Sequence, residues 1–103
     1  MLDVLEHNRE QIKALCQEHQ VASLAVFGSA VDERFRQERS DVDLLVAFRD
    51  GLEPSTYAAC YFGLKESLET LLGYPVDLVT RQSLTNPYLA ETVAREEQPL
   101  YAA

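Results

Sequence analysis

Two stretches decide the fold: Val21-Ala22-Ser23-Leu24-Ala25-Val26-Phe27-Gly28-Ser29 and Ser40-Asp41-Val42-Asp43-Leu44-Leu45-Val46-Ala47-Phe48. Residues 21–27 are a short apolar run halted by Gly-Ser, and they read as a buried strand. Residues 42–48 are a second such run, halted by Arg49-Asp50-Gly51. Between them the spacing predicts a short helix from about residue 30 to 36, with Ser29 as N-cap and Asp32 completing an S-x-x-D capping pattern.

The remaining elements follow outward. Leu5, Ile12, Leu15 and Cys16 recur at helical spacing, predicting one amphipathic helix over 2–19. Pro54 opens a long helix to about Leu72, and Tyr57, Tyr61, Leu64, Leu68 and Leu71 form its apolar stripe, with Gly73 as C-cap. Residues 75–80 read as a third strand. Asn86-Pro87 starts a last helix to about Glu97, and Pro99-Leu100-Tyr101 reads as an extended tail that can join the sheet. The order predicts an α/β architecture: a small mixed β-sheet flanked by helices, one domain over 1–103.

Three features carry chemistry. Gly28 at a strand-to-helix turn lets a phosphate approach the backbone, and Ser29 can donate to a phosphate oxygen. Alone, a Gly-Ser pair is better explained by an ordinary capped turn. Asp41 and Asp43 alternate onto one face of the second strand, roughly 6–7 Å apart along the chain. Two such carboxylates either are solvated at a strand entrance or share divalent cations, and oxygen-only ligands suit Mg²⁺. Asp77 interrupts the third strand among Val76, Leu78 and Val79, where a carboxylate is costly unless it is exposed or partnered. Together the turn and three carboxylates match two-metal nucleotidyl transfer, with in-line attack on an α-phosphorus and departure of pyrophosphate.

Phe27-Gly28-Ser29, Ser40-Asp41-Val42-Asp43-Leu44-Leu45-Val46 and Pro75-Val76-Asp77-Leu78-Val79 resemble the signature strands of the polymerase-β-like nucleotidyltransferase superfamily. With Pro99-Leu100-Tyr101, the likeness is to its smallest members, the minimal nucleotidyltransferases (MNT). The resemblance implies a nucleotidyltransferase fold. It implies two Mg²⁺ ions held by Asp41, Asp43 and Asp77 as the catalytic carboxylates. It further implies ATP bound at Gly28, Ser29 and the loop residue Ser40. It also implies a partner, because MNT proteins act as antitoxins to HEPN-domain RNase toxins, and characterised relatives attach AMP to a tyrosine of that partner. Many members carry Arg-Gly after the Gly-Ser turn. Here Val31-Asp32 stand there, leaving Arg34 or Arg36 to supply a cation from the same loop. That departure keeps open a binding-only antitoxin. A transferase for a small hydroxylated molecule is the other alternative, disfavoured by the lack of a second substrate domain.

Composition narrows the field further. The 103 residues carry a formal charge of −8, which repels long nucleic acid and suits a basic protein partner in a hetero-oligomer. No R-x(4–6)-H motif is present, so the chain is not itself the HEPN component. Cys16 and Cys60 form no CxxC pair and read as reduced thiols of a cytoplasmic protein. The N-terminus lacks a signal-peptide pattern, and no apolar run nears the ~20 residues a bilayer requires. His7 and His19, twelve residues apart, read as surface or helix-end groups. Glu96 and Glu97 read as a solvated helix end, and Tyr57 and Tyr61 as core rather than a base-stacking platform.

Overall fold

The computed structural model describes residues 1–31 and 41–103, the side chains of Ser29 and Ala30 excepted. The predicted loop helix over 30–36 therefore lies largely outside the described residues. What is described of it is a 3₁₀ turn over Gly28–Val31. The elements are α1 (Asp3–His7), α2 (Arg9–Glu18), β1 (Val21–Phe27), β2 (Val42–Phe48), α3 (Pro54–Leu72), β3 (Val76–Thr80), α4 (Pro87–Glu96) and β4 (Gln98–Ala102).

The single N-terminal helix expected over 2–19 is instead two, broken at Asn8. The Asn8 side-chain amide donates to the Val4 carbonyl at 2.8 Å, a local side-chain bond that competes with helix continuation. The break does not disturb the buried stripe: Leu5, Ile12 and Cys16 are all buried. In α3 the stripe holds at Leu64 and Leu68, but Leu72, not Leu71, takes the next fully buried position. Leu64, Leu68 and Leu72 form one i, i+4 ridge, and that ridge lies on the core. Leu71, Tyr61 and Tyr74 pack at its margin. Gly73 ends the helix in the left-handed conformation, as its position predicts (φ 76°).

The four strands run in the order β3-β2-β1-β4. β2 pairs parallel with β3 and antiparallel with β1, and β1 pairs antiparallel with β4, so the sheet is mixed. The Pro99-Leu100-Tyr101 tail does join the sheet, as an edge strand. Its Tyr101 is buried because β4 lies along β1 and α2 packs against it. Strand alternation gives the sheet one helix-covered face, where Leu24, Val26, Val42, Leu44, Val46, Val76 and Leu78 meet the helices in one core. On the other face Ala25 and Leu45 are buried, as is Val93 of α4, outside that core.

The open edge of β3 is closed in an unusual way. The Pro75 carbonyl accepts from Val42 N–H, so in the parallel ladder Val76, Leu78 and Thr80 turn their backbone groups outward. Three of those outward groups are met by side chains. Glu69 accepts from Val76 N–H at 2.9 Å, the Tyr61 hydroxyl donates to the Leu78 carbonyl at 2.5 Å, and the Ser83 hydroxyl donates to the Thr80 carbonyl at 2.8 Å. Side chains thus occupy positions that a fifth strand would need. No helix among the described residues is long and apolar enough to cross a membrane.

Candidate active site

The sheet register assembles the acidic residues. Phe27 of β1 pairs with Asp43, and Asp43 pairs with Asp77, so these three stand in one row across the head of the sheet. Neighbouring strands lie roughly 4.8 Å apart, which sets the spacing of the Asp43 and Asp77 backbones. Asp41, two residues before Asp43, projects to the same face. Asp41 and Asp77 are exposed and Asp43 is half-buried.

Their charges are felt at the centre of the row. Burial, then Asp77, then Asp41 push the Asp43 carboxyl up to about 6 from an ordinary value of 3.8. A carboxyl that resists ionisation between two other acids is a group whose charged form lacks compensation among the described residues, and a cation supplies that compensation. The donor set, three carboxylates without Cys or His, fits a hard divalent ion such as Mg²⁺. Among the described residues no three such side chains are already converged into a cation cage. The row is a shared acidic face, with Asp41 and Asp77 reaching solvent.

Gly28 closes the row from the β1 side. Its φ is +71°, a conformation that L side chains rarely adopt. A Cβ built there would lie 2.5 Å from Asp43 Oδ2, so the turn can press against the carboxylate only because residue 28 has no side chain. Two independent constraints, backbone angle and space, thus select glycine. This contact was not legible from spacing, because it depends on which residue of β2 the end of β1 faces. Ser29 lies in the adjoining 3₁₀ turn, and α4 also touches that turn. Ser40, with Asp32, Arg34 and Arg36, lies outside the described residues.

Elsewhere, Glu97 is not the solvated helix end expected of it. It forms a two-pronged ion pair with Arg81, with nitrogen–oxygen distances of 2.7 and 3.3 Å. Sequence gave no signal for this pair, whose members are 16 residues apart. His19 is a helix-end group as expected, its Nδ1 2.8 Å from the Leu15 carbonyl. Cys16 is buried, which pushes its thiol up to about 12 and leaves it unreactive.

A family model described as a nucleotidyltransferase domain matches residues 8–99. A Methanocaldococcus jannaschii protein, provisionally named a protein adenylyltransferase, is 36% identical over 99 residues, covering 96% of this chain and 94% of the relative. The protein adenylyltransferase MntA of Thermococcus cleftensis is 42% identical over 84 residues, covering 82% of this chain and 79% of the relative. Among solved structures, one described provisionally as a minimal nucleotidyltransferase is 40% identical with a TM-score of 0.73, each chain 96% covered. A chain in the structure of a tri-AMPylated Shewanella oneidensis HEPN toxin with its MNT antitoxin has a TM-score of 0.65 at 22% identity. That match covers 96% of this chain and 73% of the other, and it shows the shared fold.

Proposed function

The chain belongs to the nucleotidyltransferase domain family, and from that premise we propose that it transfers AMP from ATP to a tyrosine of a HEPN-domain toxin and thereby silences it. The observation that carries this reading is the row of Asp43 and Asp77, with Asp41 on the same face and Gly28 pressed against Asp43. The naming of relatives as protein adenylyltransferases supports the choice of a protein acceptor.

Each residue has a task in this reading. Asp41 and Asp43 would hold Mg²⁺, and Asp77 would complete the site on the acceptor side. When bound, Mg²⁺ would supply neutralisation of phosphate charge and a lowered pKa at the acceptor hydroxyl. The Gly28-Ser29 turn offers backbone N–H groups and a hydroxyl to the triphosphate. The tyrosine oxygen forms a new bond to the α-phosphorus, the bond to the bridging oxygen breaks, and pyrophosphate leaves with its electron pair. Asp77, exposed at the edge of the row, stands where the hydroxyl proton is released.

The test is mass spectrometry of the co-expressed HEPN protein after incubation with ATP and Mg²⁺. Wild type adds AMP; Asp41→Asn with Asp43→Asn abolishes addition, a loss on the order of 10³-fold, with the chain still folded. Undiminished AMP addition by the double variant would overturn the assignment. A second reading rests on Val31-Asp32, which replace the Arg-Gly of many relatives: neutralisation by binding alone. Silencing of the toxin without ATP, and without a mass increase, favours that reading.

A further inference from the structure

We propose that the apolar groove between β3 and α3 seats the acceptor segment flanking the modified tyrosine, an apolar side chain of that segment packing on Phe62. The proposal rests on the adenylyl-transfer reading above. The groove has a volume of about 500 Å³; its apolar lining is Tyr57, Ala58, Tyr61, Phe62, Leu78 and Val79, and Thr80 and Ser83 complete it. That is room for a few side chains. Phe62 stands at 65% exposure and meets the Tyr61 ring edge-on at 5.1 Å. An exposed aromatic over an open apolar groove is the usual mark of a contact surface.

The groove and the acid row share the edge strand β3. Val79 lies two residues beyond Asp77 on β3, hence on the same face and roughly 6–7 Å away. β3 is the edge of the sheet, whereas β2, β1 and β4 extend the sheet on the other side of Asp77. A hydroxyl presented to Asp77 from the open side carries its neighbouring residues past Val79 and over the β3 edge toward Phe62. The outward backbone of β3 is already occupied by Glu69, Tyr61 and Ser83, so the segment is held by its side chains and not as an added strand. The charge of −8 draws a basic protein from a distance, and the groove supplies the short-range apolar contact.

The experiment compares wild type, Phe62→Leu and Phe62→Asp as full-length chains. Affinity for the HEPN protein, KM for AMP transfer to it, and Mg-ATP affinity are measured. Phe62 is exposed, so neither change disturbs the core. Phe62→Asp is expected to weaken HEPN binding and raise KM at least tenfold, with Mg-ATP affinity unchanged and Phe62→Leu close to wild type. Wild-type affinity and KM in Phe62→Asp overturn the proposal, as does an equal loss of Mg-ATP binding in both variants. If wild type binds the HEPN protein but adds no AMP, the transfer reading falls. Binding by Phe62→Asp still decides whether the groove is the docking surface.

Discussion

Val42, Leu44 and Val46 point to one side of β2, and Asp41, Asp43 and Leu45 point to the other. The first side is sealed beneath α1, α2 and α3 with no exposure at any of its three residues. The second opens to solvent at its head and is closed at Leu45. One strand therefore serves as core and as candidate reaction surface, and a shift of a single residue in register would exchange the two. Stability is concentrated on the apolar side. The acid side does not contribute to it: the Asp43 carboxyl, crowded by Asp77 and Asp41, sits at about 6 because its charged form is disfavoured in the folded chain.

Substitutions on each side should break this division differently. Leu44→Ala, on the sealed side, is expected to cost about 2–5 kcal/mol of unfolding free energy through the cavity it leaves. Urea denaturation measures it, and a cost below about 1 kcal/mol would mean that the core is not centred on β2. Gly28→Ala straddles the two sides. It places a methyl 2.5 Å from Asp43 Oδ2 in a left-handed backbone. It should cost about 1–3 kcal/mol of stability. AMP transfer should fall by a larger factor than the stability loss explains, as thermal melts and transfer rates on one preparation will show.

The smallest effect is electrostatic and opposite in sign to that of most carboxylates. The folded pKa of Asp43 lies above its ordinary value, so its stabilising contribution is complete below pH 4 and is lost as pH rises through 6. In EDTA, Asp43→Asn should remove that loss, raising stability at pH 8 by about 1–2 kcal/mol once partial exposure is allowed for. Equal pH dependence of melting in wild type and variant would show that the acid row exerts no strain on the fold.

Much of this was readable in advance. β1, β2 and α3 end where Gly28, Arg49 and Gly73 say they should, since each apolar run stops at a residue that changes the backbone or the hydrophobicity. The three acids were found because Asp is anomalous in strands, and alternation alone put Asp41 and Asp43 together. What sequence withheld was tertiary. The pairing of Asp43 with Asp77 needs the parallel register, and the Gly28 contact needs the antiparallel one. The kink at Asn8 and the Arg81–Glu97 pair rest on side-chain bonds that leave no periodic trace. β4 was faint because Pro99 is a poor strand residue; it is tolerated at an edge, where β4 lies.

The stitched edge of β3 has a consequence for self-association. A sheet open at both edges can add copies of itself indefinitely and grow into a fibre. Here Glu69, Tyr61 and Ser83 block one edge, so among the described strands only β4 is left to recruit another. Strand-to-strand growth through β4 therefore terminates at a pair. Three hydrogen bonds in this way protect the β3 edge from strand-to-strand polymerisation.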